Sequence, residues 1–320
     1  MKIFFLLLFS LSFLLSAADS RKGGNTLPPR KIQFERALKK GDFFSCFVRI
    51  GRVQEYSLAL PGAGAPIERK DVIELALTGL LHIKEVNEKG EIKKFSLYIA
   101  SVTGGCNGKE IDSNLWRGQE LSGEISASVA GGTLFQCPGL KRPLKREEEQ
   151  LFRALFPGGG ANSLSTLTSP SLMLREKEKF PLQLDPLLRS LAARKIANNK
   201  EALAGEGEYL GRSSFRGIPC DKFKFRIISR KVPGYDLKYQ AEILLPADPA
   251  AGSSLQIYRN AREFINKIIS SSNQFAAGGR LSQLVTEEAS ITLLPESDPH
   301  LPGKKKEETG GFHQLLKPRK

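Results

Sequence analysis

The sequence predicts an α+β fold that is mostly β, with curved antiparallel sheet in meander order and a helical insertion between two β-rich halves. Three observations carry this. Apolar residues recur at every second position through two long blocks, the pattern of half-buried strands. Between the blocks the apolar spacing becomes helical and the composition turns to Gly, Pro and Ser. The links inside each block are short and carry turn residues, as antiparallel neighbours require.

The elements follow in order. In "MKIFFLLLFSLSFLLSAADS" one cation, Lys2, precedes an apolar run that ends at the small residues Ser16, Ala17 and Ala18. Residues 1–18 are expected to be a signal peptide cut after Ala18, since the run falls short of the roughly 20 residues that span a bilayer. The protein is accordingly expected to be exported, to the periplasm or beyond the cell. Residues 19–30 are polar, with Gly-Gly and Pro-Pro, and read as a disordered leader.

Residues 31–156 form the first β-rich half. Phe44, Cys46, Val48 and Ile50 share one strand face. Ile73, Leu75, Leu77, Leu81 and Ile83 make a second stripe, with Glu74, Thr78, His82 and Lys84 opposite. "NEKGE" at 87–91 is a hairpin connection, and Phe95, Leu97 and Ile99 line the return strand. A further strand places Leu121, Ile125 and Val129 inward. "PLKREEEQLFRALF", with Leu144, Leu151, Leu155 and Phe156 near helical spacing, closes this half as a helix.

Residues 157–182 read as linker. The second half, 183–296, starts with a short helix whose N-cap is expected at Asp185, with Pro186 in its first turn. Strands resume near Glu206: Phe223, Phe225 and Ile227 face in, followed by Leu237, Tyr239, Ala241, Ile243 and Leu245. Residues 256–270 suit either element. The spacing of Ile257, Ala261, Phe264, Ile265, Ile268 and Ile269 favours a helix, while the preceding "ADPAAG" suits a hairpin. A last strand follows, and 297–320 is a basic tail expected to be disordered.

The formal charge of +14 makes polyanions or anionic membrane surfaces electrostatically attractive. The lysines and arginines, however, alternate with apolar residues along strands, which describes a solvated sheet face. No nucleic-acid partner is expected.

Catalytic chemistry finds little support. His300 and His313 lie in the tail, and His82 sits on a polar strand face beside Lys84, so neither a metal site nor a general base stands out. "TGGCNGKE" at 103–110 lacks the first glycine and the final hydroxyl of a P-loop. "GRSSFRG" at 211–217 misses the spacing of a nucleophile elbow. Glu147, Glu148 and Glu149, and the pair Glu287 and Glu288, are the acids that a two-carboxylate hydrolase would draw on. Trp116, the single tryptophan, reads as a loop anchor. No catalytic, cofactor-binding or metal-ligating residue is assigned, and no cofactor is expected.

The four cysteines, Cys46, Cys106, Cys137 and Cys220, form no Cys-x-x-Cys motif. In an oxidising compartment they are disulfide candidates. Meander parity favours Cys106 with Cys137, which leaves Cys46 with Cys220. Cys220, in "RGIPCDKF", has no histidine nearby to make it a nucleophile.

"KKGDFF", "HIKEVNEKGEIKKFSLYI" and "GEYLGRSSFRGIPCDKFKFRI" resemble a loose group of uncharacterised exported bacterial β-rich proteins. The architecture is also similar to the periplasmic lipid-carrier half-barrels. The resemblance implies non-enzymatic binding of an apolar or lipid ligand in the envelope, with no site residues to carry over. The competing expectations are an envelope hydrolase and a binder of cell-wall polyanions.

Overall fold

In the computed structural model the described residues are 28–34, 38–88, 92–125, 133–155, 167–197, 199–251, 256–268 and 278–296. The expected signal peptide, most of the leader, the tail, Val129, Phe156, His300 and His313 lie outside them. The strands of the first half are β1 (Arg30–Gln33), β2 (Phe43–Ala59), β3 (Ile67–Val86), β4 (Ile92–Cys106), β5 (Lys109–Glu110), β6 (Glu120–Ile125) and β7 (Thr133–Gln136). Next come β8 (Ser171–Leu174), β9 (Lys179–Pro181), β10 (Leu203–Phe215), β11 (Ile218–Ser229), β12 (Tyr235–Pro246), β13 (Gln256–Ile268) and β14 (Arg280–Glu296). Helices α1 (Ser113–Trp116), α2 (Arg146–Leu155) and α3 (Asp185–Ala193) interrupt them.

Twelve strands form one open antiparallel sheet in the order β7-β6-β4-β3-β2-β14-β13-β12-β11-β10-β9, with β5 on β4. Strands β1 and β8 pair separately. The two halves therefore share a sheet, joined where β2 meets β14 in register from Phe43 opposite Glu296 to Ala59 opposite Arg280. Each half is a meander running outward from that joint, and the outermost strands are only four and three residues long. Short edges offer little unpaired backbone to other chains.

The period-two stripes land as expected. Phe44, Cys46, Val48, Ile50, Ile73, Leu75, Leu77, Leu81, Ile83, Phe95, Leu97 and Ile99 are all buried. Ser122, Glu124 and Lys222, Lys224 and Arg226 point to the other side. That outer face is laced by cross-strand ion pairs, Lys222 with Glu242 at 3.0 Å, Arg262 with Asp236 at 2.9 Å and Lys70 with Glu55 at 2.8 Å. Exposed pairs of this kind contribute little stability, and they make this part of the outer face a mixed, water-facing surface, whereas the outward Ser45, Thr292 and Cys220 at one end of the sheet are buried.

Residues 256–268 are a strand, β13, and not the helix that apolar spacing favoured. The register explains the misreading: Ile257, Arg259, Ala261, Glu263 and Ile265 share the inner face, opposite Ile243, Ala241, Tyr239, Leu237 and Tyr235 of β12. Two of these five inward positions carry charges, which breaks the apolar alternation. Helix α3 begins one residue earlier than expected, with Leu184 as N-cap and Asp185 inside the first turn. The leader's last residue, Arg30, opens β1, and the expected linker contains β8 and β9.

Two apolar cores sit on the same inner face. The first packs β2, β3, β4 and β6 under α1 and α2, where Trp116 and Phe152 are fully buried with ring centroids 4.7 Å apart. Glu148 fixes the start of α2 by accepting from the Lys145 backbone N–H at 2.8 Å, half of a capping box, and from both Arg142 Nη atoms at 2.8 Å. The second core gathers Phe34, Phe180, Phe223 and Phe225 under β1 and β8. Leu191 of α3 extends it with Leu203, Tyr235 and Ile265. The sheet curls strongly. Arg216, in the left-handed turn after β10, lies 5.3 Å from the Phe47 ring of β2. On a flat sheet four strand spacings, about 19 Å, would separate β11 from β2.

Candidate functional site

Between the two cores the inner face changes character. The even residues of β2 continue from Val48 and Ile50 into Arg52, Gln54 and Tyr56, still in phase with the apolar stripe. The odd residues of β14 run Gln283, Val285, Glu287, Ala289 and Ile291 beside them. Residues 51–58 of β2 are all half-buried, in contrast to the buried start of the strand. The centre of the sheet thus forms a polar seam flanked by apolar packing on both sides.

One charged cluster organises the seam. Arg52 lies directly across from Glu287, and its Nε donates to Glu287 Oε2 at 2.7 Å, with Nη2 on the same oxygen. Arg259, one strand over and two residues along, brings Nη2 to 2.7 Å from Glu287 Oε1. That contact is an ion pair whose orientation makes no hydrogen bond: Arg259 Nε and Nη2 are both buried without an acceptor. The Arg259 and Glu287 side chains are 14% and 9% exposed, so the charges are largely out of water. Tyr239 follows Ala261 in the same row. Burial raises its pKa, Arg259 opposes the rise and Glu287 supports it, and the phenol stays protonated.

The flanking cations are matched. Arg194, at the end of α3, donates to Glu263 at 2.8 Å, which also accepts from Tyr235 at 3.2 Å. On the other flank burial works against the Asp71 carboxylate, but hydrogen bonds from Asn107 and Arg69 outweigh it and hold its pKa below the usual range. Asn107 and Gly108 occupy the left-handed turn between β4 and β5, so "TGGCNGKE" is a strand end and an Asn-Gly hairpin.

The other sequence candidates are dispersed. Glu287 and Glu288 are neighbours on one strand and so face opposite ways; Glu288 accepts from Tyr258 on the outer surface at 2.9 Å. Glu147 holds Lys109 at 2.8 Å, and that hydrogen bond lowers its pKa. In Glu148 burial is outweighed by Arg142, again lowering the pKa. A general acid of a glycosidase needs the opposite shift. His82 stacks on Phe43 at 4.0 Å. Trp116 anchors its loop as expected. Among the described residues no group of three His, Cys, Asp or Glu is placed to hold a metal. Likewise no described helix is long and apolar enough to cross a membrane.

The structure holds the disulfide candidates Cys46, Cys106, Cys137 and Cys220 as buried thiols. The register puts Gln136 level with Ser96 through Ser122, so Cys137 is level with Leu97. Nine residues of β4, about 30 Å of strand contour, lie between that level and Cys106, whereas a bridge needs Cα atoms within about 7 Å. Both thiols sit beside α2, Cys106 near Glu147 and Cys137 near Arg142 and Glu148. Cys46 faces inward on β2, while Cys220 faces outward on β11 with three strands between. Burial pushes the Cys46 thiol up to about 12 and raises Cys220, so neither is poised as a nucleophile.

No protein family and no curated protein matches the chain. Among solved structures it is similar to an outer membrane channel from Pseudomonas putida F1, at 9% identity over 81% of this chain and 98% of that one, TM-score 0.21. DynF from the dynemicin biosynthesis pathway of Micromonospora chersina matches at 9% identity over 90% and 95%, TM-score 0.12. The InvG secretin-domain β-barrel of the Salmonella injectisome matches at 8% over 86% and 68%, TM-score 0.11. None superposes closely enough to carry an argument about fold or function.

Proposed function

We propose that this protein is an exported, non-catalytic binding protein of the bacterial envelope that takes an apolar or amphiphilic ligand on the inner face of its sheet. The observation that carries the reading is the half-buried seam. Each core is filled by the protein's own rings, Trp116 and Phe152 on one side and Phe34, Phe180 and Phe223 on the other. The central strands between them are left half-buried, with Ala261, Val285 and Leu237 interspersed among the polar residues. A lipid-facing barrel is disfavoured by the outer surface, where each Lys or Arg placed at mid-bilayer would cost about 2–4 kcal/mol.

Native mass spectrometry on protein purified from an exported fraction tests this directly. A bound mass of lipid size, lost on denaturation, is the expected result. Protein that stays ligand-free when mixed with a panel of fatty acids and phospholipids would sink the reading.

A further inference from the structure

We propose that Arg259, assisted by Arg52, forms a subsite for the compact oxyanion of the ligand, a carboxylate or phosphate head group; this rests on the reading of the seam as the ligand site. Nε and Nη2 are the two atoms of one guanidinium edge, and they present parallel donors of the kind that grip a carboxylate or phosphate in bidentate fashion. In Arg259 both donors of that edge are buried and neither makes a hydrogen bond, although Nη2 stands 2.7 Å from Glu287 Oε1. A buried donor without an acceptor costs free energy that an arriving oxyanion recovers.

The charge count points the same way. Arg52 and Arg259 share the single carboxylate of Glu287, so the cluster keeps one positive charge in excess. Glu287 cannot serve both fully. Arg52 takes its Oε2 through two donors, and Oε1 reaches Arg259 out of line. The neighbouring cations Arg194 and Arg69 hold their own carboxylates, Glu263 and Asp71. Tyr239 supplies a protonated phenol beside Arg259, and Ala261, Val285 and Leu237 border the cluster on the same face for the attached apolar chain.

The test titrates the purified protein with oleate, methyl oleate and inorganic phosphate by calorimetry. Oleate should bind about tenfold or more tightly than methyl oleate, the margin a charge-assisted bidentate contact supplies. Arg259→Gln should abolish that margin and leave methyl oleate unchanged, while Arg262→Gln on the outer face alters neither. Glu287→Gln removes the competing carboxylate and should tighten oleate binding several-fold, which keeps the idea testable if Arg259→Gln does not fold. Equal affinity for oleate and methyl oleate, or equal loss of both in Arg259→Gln, would overturn the subsite. Phosphate binding that depends on Arg259, with neither lipid bound, would keep the subsite as one for free oxyanion and discard the amphiphile reading. No binding of any probe discards both.

Discussion

Asp221 offers a stability test whose size follows from its surroundings. It is 2% exposed on the inner face of β11 and accepts from the Tyr209 hydroxyl at 2.8 Å and from Arg30 Nη1 at 3.2 Å. Arg30 belongs to β1, so this carboxylate ties the small β1–β8 sheet to the large one. Asp221→Ala deletes a hydrogen bond to a charged acceptor, about 1.5–3 kcal/mol, and strands the buried phenol. The Arg30 contact is 28% exposed on the arginine side and adds at most about 1 kcal/mol. Relief from burying the carboxylate offsets part of this, and the expected net loss is about 2–3 kcal/mol, read as a lower urea midpoint at pH 7. A cycle with Tyr209→Phe should show coupling of about 1 kcal/mol or more. Burial, then Asp221, pushes the Tyr209 pKa up to about 12, above the ordinary value near 10. The folded state therefore favours the protonated phenol. That contribution is fully present below pH 10 and is lost as the pH rises through about 12. Additive single mutants, or a midpoint indifferent to pH across that window, would refute the argument.

Three further outcomes are expected. Phe152→Ala should cost about 3–5 kcal/mol and change the emission of Trp116, the only tryptophan, because the two buried rings are in contact. Gly79→Ala should be strongly destabilising, since its Cβ would stand 2.3 Å from the Tyr98 carbonyl oxygen. Gly51→Ala, with nothing within 4 Å, should be neutral or gain about 0.5–1 kcal/mol; urea melts of the pair decide it. Iodoacetamide without reductant should leave native protein unlabelled at pH 8 and add four adducts after denaturation, by intact mass. Adducts that appear only once reductant is supplied would reinstate the disulfides.

Much of the sheet was legible because most strands write their buried side as apolar alternation. Legibility failed where inward positions are charged. Arg52 and Glu287 look like solvent-facing residues until their phase is followed: Ile50, Arg52 and Gln54 keep one parity, as do Val285, Glu287 and Ala289. Carrying the parity past the last apolar residue would have placed both on the inner face. The same test applied to Arg259 and Glu263 would have turned 256–268 from helix to strand. The β2–β14 pairing was not legible at all, because its partners are more than 200 residues apart and no local pattern encodes it. Strands β1, β8 and β9 are too short for a period to register.

The β2–β14 joint bears on how the chain is made. The strand that closes the middle of the sheet is the last of the sheet to leave the ribosome. Until Arg280–Glu296 is available, β2 exposes a backbone edge of 17 residues and β13 one of 13, in place of the short edges of the finished sheet. A chain cut before residue 280 would carry two long, sticky borders. Truncation there should yield aggregates or strand-exchanged dimers, while new ends opened at the tip between β10 and β11 would leave every central pairing in place.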